Sequence, residues 1–142
     1  MKILISVDSA ESSKIILAEA APFIKGFPDA EVTIFTVMDL ASIGVAEDTV
    51  HHQIMDGFKH MGDEIQAQAR ELFGGRAFTF SSELGGPVDT LLHKIETYGC
   101  DLHIMGTHGR KGFDHLLMGS VATKVLRLSQ CNTLVIPMKK RD

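Results

Sequence analysis

Five short apolar runs, separated by stretches of different periodicity, constrain the fold of this chain more tightly than anything else in it. The runs are KILISV (2–7), EVTIFTV (31–37), AFTFSSEL (77–84), DLHIM (101–105) and TLVIP (133–137). Parallel strands need a crossover long enough to hold a helix, and such crossovers are right-handed. ILISV, VTIF and LHIM are apolar nearly throughout, as strands covered on both faces should be. AFTFSSEL alternates and is more polar, which suits an edge. The pattern predicts an α/β fold: a three-layer sandwich with a five-stranded parallel sheet, doubly wound in the order 3-2-1-4-5. At 142 residues the chain has the length of one domain, 1–142.

The intervening stretches read as helices. Residues 51–73 place Ile54, Phe58, Met61, Ile65, Ala69 and Leu72 on one stripe, an amphipathic pattern. Gly57 and Gly62 within it each cost about 1 kcal/mol relative to alanine, which loosens its first turns. An earlier helix starts near Ser9–Ser12 and runs toward Lys25, with Pro22 predicting a kink or an early end. Pro87, after Gly85-Gly86, opens a further helix through about Tyr98.

In a sheet of this order the chain reverses between strands one and four, and ligands bind at the carboxyl ends flanking that switch. The first run ends in Val7-Asp8-Ser9 and the fourth in Met105-Gly106. From Gly106 to Ser120 the chain reads GTHGRKGFDHLLMGS: Gly106, two residues, Gly109, nine residues, then Gly119-Ser120. Glycines let a backbone come close to a ligand, and a helix start offers unpaired N–H groups to an anion. Arg110 and Lys111, with His108 and His115, outnumber the single acid Asp114 in a chain of net charge −4. Local positive charge against the global trend is what an anion site needs. Blander readings stand beside this one: Gly106 and Gly109 as turn glycines, Ser120 as N-cap of a helix Val121–Leu128, Asp8 as N-cap of the first helix. The loop is not a Walker A sequence, a GxGxxG fingerprint or an SGGxDS loop. Three or four charge-assisted hydrogen bonds of about 1.5–3 kcal/mol each support a micromolar-to-millimolar phosphate site.

A net charge of −4 gives no general attraction for nucleic acid, and Lys139-Lys140-Arg141 reads as a solvated tail. No run approaches the roughly 20 apolar residues of a membrane span, nor does the first run fill a signal-peptide core, so a cytoplasmic location is expected. His51-His52 reads as solvated, and His60, His93 and His103 share no ligand spacing, so no protein metal cage is expected. Mg²⁺ arriving with a nucleotide is held mainly by its phosphates. No Ser-His-Asp or Cys-His arrangement stands out. Cys100 and Cys131 lack CxxC spacing and are expected to be reduced. Each falls just before a predicted parallel strand, which brings the two near one another as a weak redox signal.

The stretch GTHGRKGFDHLLMGSVATKVLRLSQCNTLVIPM resembles the carboxyl-terminal signature of the universal stress protein family, and more narrowly its ATP-binding branch with G-x2-G-x9-G-[ST]. KILISVDSAESS is similar to the family's first strand and acidic turn, and FTVMD to the end of its second strand. The resemblance covers the whole chain. It implies a Rossmann-like fold of the adenine nucleotide alpha hydrolase-like kind, binding ATP with Mg²⁺. Phosphate contacts are implied for Gly106, His108, Gly109, Arg110, Gly119, Ser120 and Val121, and adenosine contacts near Val7, Asp8, Val37 and Met105. Asn132 replaces the family's usual proline after the cysteine, and Ser6 stands near where nucleotide-binding members often carry one. A homodimer is also implied. Independently, the short, uncharged run 133–137 would form an edge strand that invites pairing with a second copy. The implied function is a cytoplasmic, nucleotide-dependent stress-response or regulatory protein; separately, the length and position of loop 39–50 suit it to cover the nucleotide. With no catalytic base identifiable, slow ATP hydrolysis or self-phosphorylation near Ser120 is one alternative. A nucleotide-free interaction module is the other.

Overall fold

The structure is a computed structural model. It describes residues 1–42, 48–107 and 118–138, those at 42 and 48–51 through their backbone alone. In chain order the elements are β1 (Lys2–Ser6), α1 (Ala10–Lys25), β2 (Glu31–Met38), a 3-10 turn (Leu40–Ser42), α2 (Asp48–Leu72), β3 (Thr79–Leu84), α3 (Pro87–Tyr98), β4 (Leu102–Gly106), α4 (Ser120–Leu128) and β5 (Asn132–Ile136). The strands form one sheet in the order β3-β2-β1-β4-β5, with every pairing parallel. This is the order expected from the apolar runs, and the switch falls between β1 and β4.

Strand alternation divides the sheet between two apolar layers. Ile3, Ile5, Val32, Ile34, Ile104 and Ile136 pack with Ile16, Leu17, Ala20 and Ile24 of α1 and with Ile65 and Ala69 of α2. On the other face Leu4, Phe35 and Met105 meet Leu91 and Ile95 of α3 and Ala122 and Val125 of α4. Each aliphatic side chain so buried contributes about 1.5–3 kcal/mol, so both layers are needed to hold the sheet. β3 lies at one edge and is buried only in part along its length, as its polar alternation predicts.

The first helix reaches Lys25 as expected, without the early end that Pro22 allowed, and the second shows why one of its glycines is there. α1 runs on past Pro22 to Lys25. The proline is exposed, and buried Ala20 and Ile24 hold the turns on either side, so packing overrides the lost hydrogen bond. In α2, Gly62 is buried against β3. A Cβ there would lie 3.1 Å from Phe80 Cε1, so the glycine lets helix and sheet approach where the sequence suggested only a weak turn. The Arg76 guanidinium, just beyond α2, donates to the carbonyls of Ile24 at 2.5 Å, Phe27 at 2.8 Å and Ala30 at 2.7 Å. It thereby ties the exit of α2 to the exit of α1.

Candidate functional site

The carboxyl edge of the sheet at the switch is built from three chain segments. At the end of β1, Val7 is buried and donates its N–H to the Phe35 carbonyl at 3.0 Å, locking the strand end to β2. Asp8 follows, and the N-cap of α1 is Ser9, whose hydroxyl accepts the Ser12 N–H at 3.1 Å. The capping role weighed for Asp8 therefore belongs to its neighbour. Asp8 instead accepts a hydrogen bond from the Ser12 hydroxyl at 2.5 Å, which orients its carboxylate beside the helix start. Val37 lies half-buried near the end of β2.

The second segment is the end of β4. Met105 is buried beneath α4, and Gly106 pairs with Ile136 of β5. A Cβ at Gly106 would meet Met138 Sδ at 2.9 Å and Ile16 Cδ1 at 3.0 Å. Close packing against the protein's own side chains is thus one physical reason for glycine here. Thr107, to which the sequence reading gave no role, anchors the corner. Its N–H donates to the Ile136 carbonyl at 3.0 Å, and its Oγ1 accepts the Met138 N–H at 3.0 Å.

The third segment is the start of α4. Gly119 donates its N–H to the Thr107 carbonyl at 2.6 Å, so the chain on either side of the glycine loop is clasped at the end of β4. The N-cap of α4 is Gly119 and not Ser120, which is the first helical residue and is exposed; Val121 is half-buried. The cap residue Gly119 has no side chain to offer this helix, whereas Ser9 caps α1. Among the described residues no side chain is recorded as capping the first-turn N–H groups of α4, which stand at the switch-point edge, the arrangement that favours an anion. His108, Gly109 and Arg110, with Lys111, Asp114 and His115, lie outside the described residues.

One polar pair beneath this edge was missed from sequence. Ser6 Oγ lies 2.8 Å from His103 Nε2, joining β1 to β4. His103 is fully buried, its Nδ1 has no hydrogen-bond partner among the described residues, and burial pushes its pKa down to about 4. The available signal was alternation: with strands one and four adjacent, both residues fall on the face that carries Leu4 and Met105. No acid among the described residues reaches the other nitrogen of His103, the position from which a carboxylate orients the histidine of a hydrolytic triad. Among the described residues no three His, Cys, Asp or Glu side chains gather as a metal cage. No helix among them is long and apolar enough to cross a membrane.

Known proteins place this architecture. Universal stress protein MJ0531 of Methanocaldococcus jannaschii is 28% identical over 144 residues, covering 99% of this chain and 84% of its own. The solved structure of MJ0577, from the same organism, superposes with a TM-score of 0.79 at 24% identity, covering 99% of this chain and 97% of that one. An Arabidopsis thaliana universal stress protein solved with AMP bound gives a TM-score of 0.68 at 15% identity, covering 98% and 92%. One from Archaeoglobus fulgidus in complex with dAMP gives 0.62 at 16% identity, covering 95% and 96%. The family model described as Universal stress protein family matches residues 1–137, and the chain belongs to that family.

Proposed function

We propose that this chain binds ATP at the carboxyl edge of β1 and β4 and acts as a nucleotide-dependent regulatory or stress-response protein of the cytoplasm. The observation that carries the reading is the uncapped start of α4, clasped to the end of β4 through Gly119 and Thr107 and lying at the fold's switch point. In this reading Gly106, His108, Gly109, Arg110, Gly119, Ser120 and Val121 hold the phosphates. Val7, Asp8, Val37 and Met105 line the adenosine, and Mg²⁺ travels with the phosphates. The relatives solved with AMP and dAMP support the adenine nucleotide class. Binding, and not turnover, is the proposed activity, since no general base has been assigned.

Titration calorimetry with MgATP tests it. A dissociation constant in the micromolar-to-millimolar range is expected for the wild type, with AMP binding more weakly because it forgoes the outer phosphates. Gly119 has φ −72° and ψ 167°, a backbone that valine adopts without strain. Gly119→Val should therefore keep the fold while its side chain obstructs the phosphates, weakening MgATP binding at least ~10-fold, about 1.4 kcal/mol. Unchanged affinity in this variant would refute the loop assignment.

We further propose a homodimer formed through residues 133–137 at the β5 edge of the sheet. Val135 is half-buried, so a lysine there can lay its stem along the surface while its charge reaches the rim. Light scattering should report a dimer for the wild type and a shift toward monomer for Val135→Lys; a wild-type mass of one chain would end the proposal.

A further inference from the structure

At the opposite, amino-terminal edge of the sheet, the chain brings together its two cysteines, which the nucleotide reading leaves unused. Cys100 follows Gly99, the left-handed residue that closes α3, and leads into β4. Cys131 follows the end of α4 and leads into β5. Because Leu102 pairs with Asn132, parallel registration sets these two entry turns side by side. The Sγ atoms are 3.3 Å apart, and the Cys131 thiol also lies 3.3 Å from the Cys100 carbonyl. Both are free thiols and both are half-buried, so each retains some access to solvent.

We propose that Cys100 and Cys131 form a reversible intrachain disulfide by exchange with a small-molecule disulfide of the glutathione class. A disulfide needs its sulfurs about 2.0 Å apart. Closing from 3.3 Å asks for a small side-chain rotation within a backbone already held by strand pairing. Burial first, and then the neighbouring thiol, push Cys100 up to about 12, which keeps it protonated at neutral pH. In the proposed order Cys131 attacks first, its S–H proton passing to solvent. It bonds to one sulfur of the reagent and expels the other as a thiolate, which takes up a proton. Cys100 then attacks Cys131 Sγ, losing its own proton as the bond forms, and releases the second reagent thiol. Overall, one protein dithiol and one reagent disulfide become one protein disulfide and two reagent thiols. The new bond closes a loop around β4, Gly106, Gly119 and α4, restricting the freedom of that whole segment in opened or unfolded states.

The test uses the full chain incubated with oxidised glutathione, alkylated with iodoacetamide and measured by intact mass and non-reducing peptide mapping. The expected product has lost two hydrogens, takes up no alkyl group, yields a peptide joining Cys100 to Cys131, and reverts with dithiothreitol. Its thermal midpoint should exceed that of the reduced chain by several degrees. A wild-type product carrying glutathione on Cys131 with Cys100 alkylated overturns the proposal. So does a disulfide between two chains, full alkylation of both cysteines, or a midpoint that does not rise. Cys100→Ser should stop at the Cys131 mixed disulfide, and reaction elsewhere in that variant would overturn the assigned order of attack. Mapping the wild-type chain keeps the main result independent of how the variant folds, and none of it depends on nucleotide binding.

Discussion

Acidification from neutral pH to pH 4 is expected to destabilise this protein by on the order of 3 kcal/mol through His103 alone. His103 is fully buried in β4 opposite Leu4 of β1, on the face that carries Met105, and its pKa falls from 6.5 to about 4. The cause is desolvation of the imidazolium by burial, and among the described residues Nδ1 has no partner that would stabilise the charged ring. In the unfolded chain the same ring takes up its proton near pH 6.5. The unfolded state therefore binds the extra proton first as pH falls. The stability contributed by the neutral ring is complete above about 6.5 and is lost progressively down to about 4, below which both states carry the proton.

Urea unfolding at a series of pH values checks this, with His103→Leu as the comparison. Leucine suits the apolar surroundings but leaves the half-buried Ser6 hydroxyl without its partner, at a cost of about 1 kcal/mol near neutrality. In return the slope between pH 6.5 and 4 should flatten in the variant. An equal fall in both proteins would assign the acid sensitivity elsewhere.

The sheet was readable because its three central strands are largely buried and read as apolar runs, the two edge strands are less buried, and the switch followed from the alternation of the runs with helices. That Asp8 and Gly106, two residues of the proposed site, stand on neighbouring strand ends was readable for the same reason, since β1 and β4 pair. What escaped were features whose partners carry no sequence signature. Ser6 stands near the family's common proline, and only the adjacency of β1 and β4 shows its hydroxyl meeting His103. Gly62 and Gly106 were read as helix weakener and ligand-facing turn, whereas both are also points where the protein's own side chains come close. The start of α4 moved by one residue because Gly119, with no side chain to signal it, serves as the cap.

Arg76→Met is expected to cost about 2–4 kcal/mol, although nothing around Arg76 in the sequence marks it as structural. Its partners are main-chain carbonyls. Ile24 lies in the last turn of α1, where partial negative charge accumulates, and Phe27 and Ala30 belong to the connection that leads into β2. The Phe27 bond is exposed, so water can replace it at little cost. The bonds to Ile24 and Ala30 are partly buried; although the Ile24 carbonyl still accepts the Phe27 N–H at 3.1 Å, each of the two loses a charge-assisted partner, at about 1–2 kcal/mol. Methionine keeps much of the apolar stem, so the loss measured by urea unfolding reports the hydrogen bonds more than the packing. Arg76→Lys separates charge from geometry. An ammonium retains the positive charge but cannot span three carbonyls as a planar guanidinium does. Its stability should fall between wild type and Arg76→Met; a lysine variant as stable as wild type would mean that charge alone holds the two helix exits together.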